Sequence, residues 1–135
     1  MTGRNQNLVD TRSKILTQAQ AVEHAGNLRA DGRALTVVTG FFDPMLAEHA
    51  RHLASLARPG TALMVVIHSP AAPLLPARGR AEMIAALTVV DHVVLAAGGE
   101  SDAWLAALHA HSLVSQEAHD TRRTRELIHH VHARQ

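Results

Sequence analysis

Apolar residues are distributed along this chain in two alternating patterns, and each pattern predicts an element. Largely apolar runs at 34–38, 61–67 and, around Asp91 and His92, 89–95, rich in Val, Leu and Ile, read as buried strands. Between them the apolar residues recur at helical spacing. Ile15, Ala19, Val22 and Gly26 predict an opening helix capped by Asp10 or Thr11 and ending near Asp31-Gly32. Leu46, His49 or Ala50, Leu53 and Leu56 or Ala57 predict a second helix, stopped by Arg58-Pro59-Gly60. Residues 80–87 are helical in composition, Gly98-Gly99 closes the third strand, and Ser101 is placed to cap a helix through Trp104, Leu105 and Leu108. Residues 113–115 form a short strand candidate, and Asp120 is placed to cap a last helix through Leu127, Ile128 and Val131. Pro70, Pro73 and Pro76 make 68–78 an extended loop.

Buried strands alternating with helices imply an α/β domain, a three-layer Rossmann-like parallel sheet with helices on both faces. Residues 1–135 are expected to form one domain, with 1–10 flexible. Open parallel sheets bind ligands beyond the carboxyl ends of their strands, where the strand order reverses. The turn from Thr39 to His49 is that place.

Composition narrows the chemistry. Hydrophobic residues make up 47% of the chain and aromatic ones 2%, so the core must rest on small aliphatic side chains, and Trp104 is also read as a core residue. Cysteine is absent, which excludes a disulfide scaffold and a thiolate zinc centre and suits a reducing compartment. The polar start has no signal-peptide core and no run reaches the ~18 apolar residues of a membrane helix, so a cytoplasmic location without a membrane partner is expected. The net charge of +1, from 13 basic and 12 acidic residues, gives no basis for nucleic-acid binding, and any anion must be held locally. Of eleven histidines, His129 and His130 stand with Glu126 at metal-ligand spacing and His132 extends the group. A histidine-rich last turn is also what the helix dipole favours, and no metal site is expected there.

The segment Val37-Val38-Thr39-Gly40-Phe41-Phe42-Asp43-Pro44-Met45-Leu46-Ala47-Glu48-His49 resembles the strand, turn and helix start of the cytidylyltransferase-like nucleotidyltransferases, whose pattern is Gly-x-Phe-Asp-x-x-His-x-Gly-His. The nearest members are the heptose-1-phosphate adenylyltransferase domain of ADP-heptose synthase and glycerol-3-phosphate cytidylyltransferase. The helix end Leu28-Arg29-Ala30-Asp31-Gly32-Arg33 resembles the family's lead-in, and Arg80-Ala81-Glu82-Met83 with Val90-Asp91-His92-Val93-Val94 resembles its Arg-Ala-Glu-Met helix and Val-Asp strand. Thr124-Arg125 weakly resembles the Ser-Thr motif that meets triphosphate. The resemblance covers most of the chain and implies the nucleotidyltransferase (HUP-like) fold. It also implies a reaction in which an acceptor phosphate attacks the α-phosphorus of ATP or CTP and pyrophosphate leaves.

Such a site must orient two anions and stabilise the charge that develops between them. The resemblance puts Thr39, Gly40, Phe42, Asp43, Arg80, Thr124 and Arg125 around nucleotide or phosphate and gives His49 the catalytic role. Two motif positions depart from the pattern. Leu46 replaces the first histidine, and losing one preorganised donor costs roughly 10²- to 10³-fold in rate. Glu48 replaces the glycine and sets a carboxylate near phosphate, where like charges ~4 Å apart repel by about 4 kcal/mol at an effective dielectric of ~20. The family's additional loop, helix and strand are reduced to the short run between Val114 and Asp120. The expectation is a catalytically impaired nucleotidyltransferase-like protein that keeps weak nucleotide or phosphate binding and forms a homodimer. The alternatives are an active transferase in which Glu48 ligates Mg²⁺, and a non-enzymatic dimeric interaction subunit.

Local readings compete with these roles. Gly40 also suits a plain turn, Asp43 a helix N-cap and His49 a half-buried core position, while Arg80 also suits an ion pair with Glu82.

Overall fold

The computed structural model describes residues 10–96 and 103–134. Ten elements follow a single 3-10 turn at Thr11–Lys14: β1 (Ile15–Leu16), α1 (Gln18–Ala30), β2 (Ala34–Gly40), α2 (Ala47–Leu56), β3 (Thr61–Ile67), α3 (Ala77–Ala85), β4 (His92–Leu95), α4 (Ala103–Ala106), β5 (Ser112–Ser115) and α5 (Glu117–Ala133). The strands form one all-parallel sheet in the order β1-β4-β3-β2-β5. This is the α/β, Rossmann-like three-layer arrangement that the alternating pattern implies.

Strand alternation divides the apolar residues between two cores. Val38, Leu63, Val65, Ile67 and Val93 point to one face, where they meet Leu53 of α2 and Ala81, Ile84 and Ala85 of α3. Leu35, Val37, Met64, Val66 and Val94 point to the other, against Ala21, Ala25 and Leu28 of α1, with Trp104 and Leu105 of α4 packed alongside. Because both faces of β2 and β3 are covered, their sequences are continuous apolar runs and not alternating ones.

The opening helix begins later than expected. Asp10 does cap, but its carboxylate takes the Arg12 amide of the 3-10 turn. Ile15 and Leu16 then pair in parallel with Val93 and Val94 as a short edge strand. The α-helix starts at a capping box, in which Thr17 Oγ1 accepts from the Gln20 amide at 3.1 Å and the Thr17 amide donates to Gln20 Oε1 at 2.9 Å. It ends where Gly32 turns at φ +72°, letting the Arg33 amide reach Leu28 O at 2.8 Å. The last helix starts at Glu117, three residues before the expected cap Asp120, and α2 starts at Ala47, well after Asp43. The expectations for residues 1–9, Gly98-Gly99 and Ser101 lie outside the described residues. Among the described residues no helix is long and apolar enough to cross a membrane.

One histidine makes the fold sensitive to acid. Burial holds the His92 imidazole below its ordinary value of 6.5, and the ring of His24, 4.8 Å away, adds to the effect. The folded state therefore binds fewer protons than the unfolded chain, so His92 leaves stability intact above pH 6.5 and reduces it as the pH falls below that value. Denaturant midpoints measured on either side of this value should show the fall, and His92→Phe should flatten it. For a half-buried ring the expected loss is below about 1 kcal/mol.

Candidate functional site

β2 lies between β3 and β5, so the strand order reverses on either side of it. At its carboxyl end both neighbours stay bonded to it, the His68 amide donating to Gly40 O at 2.9 Å and the Gln116 amide to Thr39 O at 2.8 Å. The crevice of an open α/β sheet opens at such a point. The chain leaves it through Phe41 and Phe42, the latter at φ +49°, and then through a cis Asp43-Pro44 bond. A bulky side chain in the left-handed region stores about 1–3 kcal/mol of strain, so the surroundings must hold the turn in place.

They hold it with a carboxylate. Asp120 of α5, 1% exposed, accepts the amides of Phe41 at 2.8 Å and Phe42 at 3.2 Å on Oδ2, and His49 Nε2 lies 2.7 Å from Oδ1. The Leu46 amide donates to His49 Nδ1 at 2.8 Å, which places the imidazole proton on Nε2, facing Asp120. Two amides and one imidazole thus converge on one anion, and that anion belongs to the chain. Gly40 is required by this arrangement. A Cβ there would stand 2.7 Å from Asp120 Oδ2 and 2.8 Å from the Phe42 ring.

The N-terminus of α2 is closed in the same way. Glu48 lies in its first turn and contacts Arg123 Nε of α5 at 2.6 Å, an ionic contact off the line of a hydrogen bond. With Leu46 bonded to His49, both positions that depart from the motif face α5 or the chain itself.

Asp43 is not the cap of α2, whose N-cap position is held by Leu46. Its carboxylate accepts the amides of Leu74 at 2.6 Å and Leu75 at 2.8 Å, which anchors the Pro-rich loop. Its carbonyl accepts the Thr124 hydroxyl at 2.9 Å. Phe41, Asp43, Pro70, Thr124 and Arg125 surround a cavity of about 330 Å³, so three of the expected ligand residues do share one space. Arg125 makes no hydrogen bond or ion pair with the described residues.

Arg80 does not pair with Glu82. Glu82 pairs with Arg78 at 3.4 Å, while the buried Arg80 guanidinium donates to Phe41 O at 2.7 Å, His68 O at 2.9 Å, Leu75 O at 3.1 Å and Ser69 Oγ at 3.1 Å. It ties together the turn, the end of β3 and the Pro-rich loop from below. Thr39 lines a separate cavity of about 710 Å³ that also borders β5 and α4. Among the described residues no group of three or more His, Cys, Asp or Glu is placed to hold a metal ion, and His129, His130 and His132 are exposed at the end of α5.

Sequence reasoning missed Asp120, which reads as a surface cap. Its helical spacing to Thr124 and Leu127, which face inward with it, was the available signal. No protein-family model matches the chain, and no curated protein matches it in sequence.

Proposed function

We propose that this chain is a cytidylyltransferase-like protein, similar to the sugar-phosphate and glycerol-phosphate nucleotidyltransferases, in which nucleotidyl transfer is impaired and weak nucleotide or phosphate binding is retained. The observation that carries this reading is the Asp120 carboxylate on the Phe41 and Phe42 amides. A phosphoryl oxygen entering that turn must displace a carboxylate held by two backbone donors and an imidazole. Glu48 adds a second internal anion at the helix end that would otherwise attract phosphate. The carboxylates here do not suit Mg²⁺: Glu48 is paired with Arg123, and those of Asp43 and Asp120 already accept amides. The retained anion site is the cavity beside Asp43 and Thr124, where Arg125 supplies a guanidinium that no described residue pairs with.

Calorimetric titration with ATP and CTP, with and without Mg²⁺, tests the reading on the native chain, on Arg125→Ala, and on Leu46→His with Glu48→Gly. Millimolar binding by the native chain, its loss in Arg125→Ala and about tenfold tighter binding by the double variant are expected. Pyrophosphate release by the native chain with glycerol phosphate or a sugar phosphate as acceptor would overturn it.

A further inference from the structure

The larger cavity, about 710 Å³, is lined by a different chemistry from the anion turn. Its floor is a two-by-two patch of paired strand residues: Val37 beside Leu113, then Thr39 beside Ser115, toward the carboxyl ends. Leu105, Ala106 and Ala110 form an apolar wall. At the far end His68 Nδ1 meets Glu117 Oε1 at 2.8 Å. The space therefore grades from aliphatic to hydroxyl to a carboxylate–imidazole pair. Leu113, 55% exposed on the edge strand β5, belongs to its floor. Among the described residues the lining holds no Lys or Arg, and Glu117 is its one carboxylate.

We infer that this cavity binds a small amphipathic amine without a phosphate group, its aromatic or branched body on Val37, Leu105 and Leu113 and its ammonium head at Glu117. The volume is that of small-molecule sites, which are mostly apolar with a few polar groups that fix orientation. Thr39 and Ser115 offer hydroxyls beside the head, and the Glu117 carboxylate matches its charge while repelling an acid of the same shape. The inference stands apart from nucleotide binding, because it rests on the Glu117 carboxylate and the apolar wall whereas the anion cavity depends on Arg125.

Phenethylamine and 3-phenylpropionate, alike in body and opposite in charge, are the probes. Each is titrated into the full chain and followed by amide chemical shifts. The amine should bind at millimolar concentration or tighter and shift the amides of β2, β5 and the start of α5, and the acid should bind about tenfold more weakly or not at all. Glu117→Gln should weaken the amine about tenfold while leaving the melting temperature near native, and Leu113→Ser, at an exposed position, should weaken both probes. Equal binding of amine and acid, no binding of the amine, or amine binding indifferent to both substitutions would overturn the inference.

Discussion

Asp120→Ala should lower the unfolding free energy by about 3–5 kcal/mol, because it leaves three buried donors without an acceptor. The Phe41 and Phe42 amides and His49 Nε2 all converge on that carboxylate, and none has another acceptor in the turn. Asp120→Asn should cost less, about 1–3 kcal/mol: its carbonyl can still take the amides, but its NH₂ then faces an imidazole N–H whose tautomer Leu46 fixes. Urea midpoints with an unchanged slope would give both values. The alanine variant makes a further prediction. Formate or acetate should raise its melting temperature while leaving the native chain unmoved, because a small carboxylate can refill the vacated position and any ligand of the folded state stabilises by mass action. Inorganic phosphate should do the same if the turn is an anion site closed by its own chain. A loss below about 1 kcal/mol, or a variant indifferent to all three anions, would mean the convergence has little energetic weight.

Arg80→Met should cost a similar amount, about 3–5 kcal/mol, although methionine fills much of the same volume. The substitution removes every donor that serves Phe41 O, His68 O, Leu75 O and Ser69 Oγ, and the first two sit where β2 and β3 give way to loops. Arg80→Lys should recover only part of the loss, since one ammonium cannot span a fork of carbonyls approached from three segments. Hydrogen exchange should locate the damage: the Leu74 and Leu75 amides, held by Asp43, should exchange faster in both variants while those of β3 stay protected. A methionine variant within about 1 kcal/mol of native would make Arg80 a filler and not a tie.

Both residues show how far the sequence could be read. The strands β2 and β3 were legible because they are covered on both faces, which turns burial into an unbroken apolar run. β1 was not: two residues carry no period, and Ile15 and Leu16 gain strand character only from Val93 and Val94 far along the chain. The turn after β2 was recognisable as a strand-to-helix turn at a switch point, and the structure does bring Gly40, Phe42 and His49 together there. Its content was not recognisable. Gly40 reads as room for a phosphate, yet the atom approaching it is a carboxylate oxygen 79–80 positions away in sequence. Asp120 and Arg80 carry the charge pattern of surface residues, and only the tertiary fold reveals that one supplies an acceptor and the other donors to buried backbone. Local spacing reports which face a residue occupies, and it carries no information about which distant backbone groups that face will meet.

The separation in sequence between Asp120 and the turn it holds also sets a timetable for synthesis. β2 becomes an interior strand only when β5 emerges beside it, and the turn acquires its acceptor five residues later still. At 5–20 residues per second, the gap of 79 positions between Phe41 and Asp120 lasts roughly 4–16 s. For that interval the nascent chain presents one side of β2, a largely buried strand of the finished sheet, as an open edge, the kind of surface on which strands of other chains add. Chaperone capture and aggregation during translation should therefore concentrate on chains stalled between α2 and β5, and fall away once α5 has left the ribosome.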